Sequence, residues 1–466
     1  MSIFRIVPSN IKDICLIISS FSLFYLLSHP LTSPIPTTHP VISVVTPPAT
    51  TTLRHLLFSI ASSGKSYRNR KPYLRLWYNP NSTNAIVFLD RPVTDSGADS
   101  DLPPVIISSD TSRFPYTFSK GLRSAIRVAR IVKEAVESES DGSDGVRWYV
   151  FGDDDTVFFT DNLVKVLSKY DHDRWFYIGG RSESYEQNLQ HSFGMAFGGG
   201  GFAISRSLAR VLARVLDSCL MRYPHVYGSD SRVYSCLSEL GVELTHEPGF
   251  HQVDVRGDLF GILAAHPLSP LLSLHHFDII DPIFPGLTKF ESVKHLFKAV
   301  NHDPPRILQQ AVCYDSSKSI TISVSWGYVV QVFEGNQLLP DLIRVQKTFS
   351  SWRRKENLFS SLHMFNTRDY SKDTCKSPDL FFFEGVVPEE NRSYTFYNRK
   401  KSMNCSRSSA IRDLINIKVF SRKLDADTRQ MSPVRRQCCE ILPPYNETMV
   451  IALRRCETDE LIAMDP

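Results

Sequence analysis

The chain has 466 residues, of which 42% are apolar, 22% charged and 11% aromatic. That is the composition of a folded globular protein, in a chain too long for one ordinary core. With 53 basic against 49 acidic residues the net charge is only +4, so no strongly basic field marks nucleic acid as a partner.

The N-terminus departs from the rest. Residues 14–27 form an uncharged apolar run preceded by Arg5 and Lys12, and no positive charge follows until Arg54. This bias puts the N-terminus in the cytosol and the remainder in the lumen. The run is short for a membrane span, although thinner early secretory membranes accept such a length. Residues 1–28 read as a cytosolic tail and signal anchor, with a cleaved signal peptide or an ordinary core helix as alternatives. Residues 29–52, rich in Pro, Thr and Ser, read as a stem.

Residues 53–303 alternate short apolar runs with helical patterns, as parallel α/β proteins do. Strands are predicted at residues 56–61, 85–89, 105–107 and 148–151, and a helix at 70–77. Ser119 is placed as the cap of a helix whose apolar residues Leu122, Ala125, Ile126, Ala129, Val132 and Val136 recur at three and four. Asp161 is placed as the cap of the next helix. Ser205 opens the clearest one, with Leu208, Val211, Leu212, Val215, Leu216 and Leu220 on one face. Residues 304–466 read as a smaller β-rich region containing most of the cysteines, with strands at 320–325 and 328–333 joined near Gly327. No function is legible in it.

Apart from Cys15 there are eight cysteines: Cys219, Cys236, Cys313, Cys375, Cys405, Cys438, Cys439 and Cys456. An even number beyond the apolar run suits disulfides in an oxidising compartment. No C-x2-C pair with finger spacing occurs, which argues against structural zinc. Asn81, Asn391, Asn404 and Asn446 each open an N-x-S/T sequon, weak support for the same location.

The chemistry concentrates in three places. Asp153, Asp154 and Asp155 follow an apolar strand, and ligands in open α/β sheets bind beyond strand C-termini. Three adjacent carboxylates repel one another, so burying them calls for a cation. Oxygen ligands favour Mg²⁺ or Mn²⁺, which suits a departing diphosphate. A solvated acidic turn is the plain alternative, and a phosphatase or nuclease also fits at this point. Gly198–Gly201 offers backbone without Cβ atoms that can approach a sugar or phosphate closely, or simply a flexible turn. Asp230 is read as a helix N-cap or as a general base. Five histidines between His246 and His276 make at least one ligand reasonable.

Taken in order, the segments Arg147-Trp148-Tyr149-Val150-Phe151-Gly152-Asp153-Asp154-Asp155, Tyr177-Ile178-Gly179-Gly180, the stretch 198–205, Gly228-Ser229-Asp230 and Phe250-His251-Gln252 resemble the fringe-like branch of glycosyltransferase family 31. The likeness is to its plant fringe-related members above all, and covers about residues 53–300. The resemblance implies a GT-A fold, that is, a Rossmann-like mixed sheet flanked by helices. It also implies an inverting transfer from a UDP-sugar to a glycan or glycoprotein hydroxyl, β-1,3 in type, with Mn²⁺ or Mg²⁺ as cofactor. It maps the metal to Asp155 with Asp153, the base to Asp230, and the completing histidine to His251. His275 is the second choice, because His266-Pro267 followed by His275-His276 echoes another branch. Donor contacts map to Asp154, Asp90, Ser59, Ser62, Arg68 and Arg70, with Gly199, Gly200 and Gly201. Cys219 and Cys236 are implied as a pair. A single-pass type II protein of the Golgi membrane with a lumenal catalytic domain is the expected setting, with secretion after cleavage as the alternative. A non-catalytic relative that only binds sugar or nucleotide, and a metal-dependent hydrolase, are the rival functions.

Overall fold

The computed structural model describes residues 51–464, apart from 94–98, 140–144, 355–356, 370–372, 374, 401–404, 406, 425–434 and 446. The apolar run at 14–27, nearly all of the stem, and the sequons at Asn404 and Asn446 lie outside the described residues. Among the described residues no helix is long and apolar enough to cross a membrane.

The first half contains strands β1 (Leu56–Ala61), β2 (Asn84–Leu89), β3 (Val105–Ile107), β4 (Trp148–Asp153), β5 (Val157–Phe158), β6 (Tyr177–Gly179), β7 (Phe202–Ser205), β8 (Leu244–His246), β9 (Phe250–His251), β10 (Val255–Gly257) and β11 (Ser273–Leu274). Its helices include α1 (Tyr67–Trp77), α2 (Ser124–Glu137), α3 (Thr160–Leu167), α4 (Tyr185–Gln190), α5 (Arg206–Arg222) and α6 (Asp230–Glu239). Seven strands make one mixed sheet in the order β3-β2-β1-β4-β7-β6-β8. The four from β3 to β4 run parallel, and β7 runs antiparallel to both of its neighbours. The central strands are apolar on both faces because both faces are covered. Along β1 and β4, Leu56, Phe58, Ile60, Trp148 and Val150 enter one core, whereas Leu57, Ala61, Tyr149 and Phe151 enter the other. That alternation is the two-residue period of a strand. The second core is closed by α2, α5 and α6 through Ile126, Ala129, Leu212, Leu216 and Val233.

Three helix starts differ from the sequence reading. Helix α1 begins at Tyr67 and carries Pro72 inside it. Helix α2 begins at Ser124, not after Ser119, and Leu122 is 78% exposed. There the Arg123 guanidinium gathers the loop by donating to the carbonyls of Thr111, Ser112 and Phe114 at 2.7–2.8 Å. Asp161 lies in the first turn of α3, where a carboxylate favours the helix dipole, while Phe159 holds the cap position.

Helices α2 and α5 are also tied by charge. The Asp217 carboxylate accepts from Arg130 Nε at 2.8 Å and Lys133 Nζ at 2.8 Å. Burial alone would raise this carboxyl, but the Arg130 and Lys133 hydrogen bonds outweigh it and hold it down to about 2. A depressed acid stabilises the fold above its unfolded pKa of about 4 and loses that contribution as pH falls through the folded value. Asp217→Asn is therefore expected to cost roughly 2 kcal/mol at pH 7 and almost nothing near pH 2. Urea melts of both proteins at the two pH values measure this, and an equal deficit at both would refute the linkage.

The second half is an eight-stranded sheet built largely from antiparallel hairpins, beginning with Gln310–Asp315, Ile320–Ser325 and Val329–Glu334 and ending with Cys438–Tyr445 paired to Thr448–Arg454. Its first and last strands in spatial order are joined by Cys313–Cys439, so the sheet curls until its edges meet. Adjacent residues on a strand point to opposite faces. Cys439 accordingly reaches Cys313 while Cys438 pairs with Cys456. Cys375–Cys405 and Cys219–Cys236 complete the pairing of all eight. The boundary drawn at residue 304 divides secondary structure rather than packing. Phe58, Phe158, Leu263 and Phe297 share one buried cluster with Trp326, Tyr397 and Ile451.

Candidate active site

Parallel pairing brings the ends of β1, β2 and β4 to one edge of the sheet. Ala61 lies opposite both Asp153 and Phe88, so the residues just beyond these strands emerge together. Ser62 Oγ donates to Asp154 Oδ2 at 2.6 Å, and Ser66 Oγ, at the foot of α1, donates to the same oxygen at 2.7 Å. Asp90 accepts from the Gly64 amide at 2.6 Å and thereby shapes the loop leaving β1. Arg127, buried on α2, donates to Ser62 O at 2.7 Å and to Phe88 O at 3.2 Å.

Two of the three carboxylates are shut away from solvent, whereas the Asp153 side chain is 44% exposed. Asp154 and Asp155 are 7% and 6% exposed. Arg70 reaches in from α1, with Nη1 2.7 Å from Asp155 Oδ2 and Nη2 2.9 Å from Asp278 Oδ2. His275 Nε2 lies 3.1 Å from Asp155 Oδ1 and 3.7 Å from Asp153 Oδ2. Burial would raise the Asp155 carboxyl, but His275 and Arg70 outweigh it and hold it well below the carboxylate range. Confinement raises Asp153, with the nearby Asp155, Asp230 and Asp154 charges adding to it against the pull of His275. Burial would lower His275, yet Asp155 and Asp153 push it up to about 9. Asp154 is raised by burial, opposed by Ser62 and Ser66.

Among the described residues, three groups have ligand atoms close enough for one metal ion. Cys438 and Cys456 of the first are already bonded to each other, and Asp171-His172-Asp173 is three consecutive residues in a turn. The third is Asp153, Asp155 and His275, with ligand atoms all within 4.8 Å. Two carboxylates and an imidazole fit Mn²⁺ or Mg²⁺. His275 is prepared for this role, because its Nδ1 faces the Gln252 carbonyl at 3.3 Å. A proton kept on Nδ1 by that contact would let Nε2, protonated beside Asp155 and Asp153 while no ion is bound, give up its proton to a cation.

His251, the first choice from sequence, is not in this group. Its Nδ1 is 3.1 Å from Glu183 Oε1 and its Nε2 is 2.9 Å from His266 Nε2. The reason is register. In the small sheet β5-β11-β9, His251 pairs with Leu274, so the two side chains share a face. His275 comes one residue later and turns the other way, onto Asp155.

The glycine run enters the same edge from the start of β7, where Phe202 pairs with Phe151. It makes room for functional side chains. A Cβ on Gly199 would lie closer than 3.0 Å to three atoms of the His275 ring, and one on Gly198 would be 2.5 Å from Asp230 Oδ1. The Gly198 amide donates to Asp230 Oδ2 at 2.9 Å, and Thr156 Oγ1 holds Gly199 O at 2.7 Å. Gly200 N donates to Gln252 Oε1 at 2.6 Å, and Gly201 takes a φ of +83° that favours glycine. Asp230 opens α6 and faces Asp153 across a small cavity also lined by Ser59, Gly198 and Ser229. Ser59 is buried there, and its hydroxyl has no hydrogen-bond partner among the described residues.

Of the donor-contact residues, Ser59, Ser62, Asp154 and Arg70 therefore converge. Asp90 shapes the adjoining loop, and Arg68 is exposed on the first turn of α1. Sequence reasoning missed Ser66, Asp278 and Arg127. The one available signal was Arg127 itself, a charged residue in the middle of an apolar helical stripe.

A family model described as "Protein of unknown function, DUF604" matches residues 187–439, more than half of the chain. The chain belongs to the DUF604 family. A second model, described as "Fringe-like", matches residues 51–257 and so covers the carboxylates, the glycine run and Asp230. The fringe-like relationship read from the motifs is thus established, and the DUF604 match crosses residue 304 as the packing does. Among curated relatives, the beta-1,3-glucosyltransferase of Mus musculus is 34% identical over 147 residues, covering 31% of this chain and 28% of that protein. The beta-1,3-N-acetylglucosaminyltransferase lunatic fringe of Danio rerio is 28% identical over 223 residues, covering 42% of this chain and 53% of that protein. The DUF604 chain thus spans about a quarter to about half of the length of these relatives. Among solved structures, a mannosyltransferase from Pyrobaculum calidifontis in complex with GDP-Man and Mn²⁺ aligns over 45% of this chain and 60% of that chain, with 12% identity and a TM-score of 0.27.

Proposed function

We propose that this chain is an inverting glycosyltransferase of GT-A type, dependent on Mn²⁺ or Mg²⁺. It moves a hexose or N-acetylhexosamine from a UDP-sugar to a glycan or glycoconjugate hydroxyl, in a β-1,3 linkage. The observation that carries this reading is one cleft edge where Asp153, Asp155 and His275 converge while Asp230 shares a cavity with Asp153. The relatives named above carry β-1,3-transferase names, in keeping with it.

Asp153, Asp155 and His275 would hold the cation, which when bound neutralises charge on the departing diphosphate. Arg70, already bridging Asp155 and Asp278, adds fixed positive charge beside the same edge. Asp230 takes the proton of the acceptor hydroxyl as that oxygen attacks the anomeric carbon. The Gly198 amide and the Ser229 hydroxyl, at 2.9 Å each, fix the direction of its carboxylate. A base so held costs little reorganisation at the moment of reaction. The four disulfides support an oxidising compartment, and with it residence in the Golgi lumen behind an N-terminal anchor.

A panel of UDP-sugars, with UDP release followed with and without Mn²⁺, tests the reaction class. Asp230→Asn is expected to keep Mn²⁺ and UDP binding within about twofold and to lower transfer by about 10²–10⁴-fold. Transfer at the native rate would remove Asp230 as the base. Free phosphate or a monoester as the product would point to hydrolysis instead.

A further inference from the structure

We infer that Trp352, delivered by the C-terminal region, is a positioning residue of the cation centre, holding His275 in place through the ring of His276. The inference rests on reading Asp153, Asp155 and His275 as the ligands, and it makes the β-rich half of the chain part of that centre.

The strand Phe349–Ser351 pairs antiparallel with β10, with Val255 opposite Ser351. This register sets Trp352 beside Asp254. The Arg256 guanidinium fastens it there twice, donating from Nε to Trp352 O at 2.7 Å and lying 4.7 Å over the indole. The indole stacks on the His276 ring with centroids 4.5 Å apart and planes 14° from parallel. The His276 ring in turn lies 3.9 Å from that of His275, whose Nε2 faces Asp155.

His276 needs such support. Its φ is +63°, a left-handed conformation disfavoured for a residue with a Cβ. Its other contacts are long: Nδ1 lies 3.3 Å from Val253 O and 3.6 Å from Asp254 Oδ1. Stacking by Trp352 supplies a flat wall that fixes the ring plane, and His275 has no room to rotate away on the side where Gly199 closes in. The segment beyond Trp352 is anchored as well, since Tyr185 N donates to Leu362 O at 3.2 Å and Met364 N to Glu183 O at 2.9 Å. The sequence separates Trp352 from His276 by 76 positions, so neither period nor motif could pair them. Trp352, His276 and His275 form a contiguous series of ring contacts that runs from the second half of the chain to Asp155 in the first.

The test uses the full lumenal chain and Mn²⁺ as probe, with affinity read by electron paramagnetic resonance of free Mn²⁺ at fixed pH. Trp352→Ala and Trp352→Leu are each expected to bind Mn²⁺ about 10–100-fold more weakly, the loss typical of an outer support. Trp352→Phe keeps a ring against His276 and is expected to stay within about threefold of the native affinity. The leucine variant fills the space without a ring, so it carries the test if the alanine variant does not fold. Native affinity in both ring-less variants would overturn the inference and leave the ligand assignment standing. Equal weakening in the phenylalanine variant would overturn it too, because a ring against His276 would then not be what holds the centre. A native chain that binds no Mn²⁺ would remove the ligand assignment itself, and this inference with it.

Discussion

Asp155→Asn is expected to abolish divalent-cation binding, with Mn²⁺ affinity down by more than about 100-fold and transfer undetectable. Asp155 is the carboxylate on which the site converges: Arg70 contacts one of its oxygens and His275 the other. The amide keeps the shape but removes the charge that lowers the cost of a cation there. It also leaves Arg70 and His275 facing each other with less compensation, and breaking a buried ion pair from one side can cost about 3–5 kcal/mol. Arg70 retains Asp278 at 2.9 Å and Asp154 at 4.0 Å, so the stability loss is expected at or below the lower end of that range. Isothermal titration with Mn²⁺, paired with a thermal melt, separates the two effects. A folded Asp155→Asn protein with native Mn²⁺ affinity would end the metal reading.

Gly199→Ala and Gly198→Ala should fail differently, and the difference is the second large effect. A methyl at 199 overlaps the His275 ring, while a methyl at 198 meets the Asp230 carboxylate. The backbone on this side has little freedom to give way, because Thr156 Oγ1 holds Gly199 O and the next residues enter β7. Gly199→Ala is expected to push the imidazole off Asp155 and weaken Mn²⁺ binding by about 10–100-fold. Gly198→Ala should keep Mn²⁺ binding while turnover falls about 10²-fold, as a displaced base costs reactivity rather than ligand affinity. Gly385→Ala, where a Cβ meets nothing within 4 Å, serves as the neutral control. If both glycine variants lowered metal affinity and turnover in parallel, the division of the site into ligand and base would be wrong.

These outcomes depend on a site that was partly legible in advance. Asp153 and Asp155 could be picked out because three adjacent carboxylates close an apolar strand, whereas Asp230, at a helix start where an aspartate is ordinary, was marked as the base through the family resemblance. The glycine run was visible, but not the side chains that it accommodates. Four residues without side chains announce close approach without saying what approaches, and here Asp230 and His275 come close to two of them. Ser66 and Asp278 gave no signal at all, since a serine in a loop and an aspartate after two histidines are ordinary in sequence.

What the sequence determined alone was set by short-range physics. Two-residue alternation, apolar runs buried on both faces and helical spacing marked six of the strands, the α/β character of residues 53–303 and the β-rich character of residues 304–466. The even set of cysteines was readable as disulfides for the same reason, since it needs only a count. The tertiary structure decided the matters that turn on register and long-range contact. One residue of strand register placed His275, not His251, against Asp155, because successive side chains on a strand face opposite ways. Strand pairing between Val255–Gly257 and Phe349–Ser351 carried Trp352 to the histidines. Such pairings join residues far apart in the chain, and no local pattern in either partner encodes which strand it will meet.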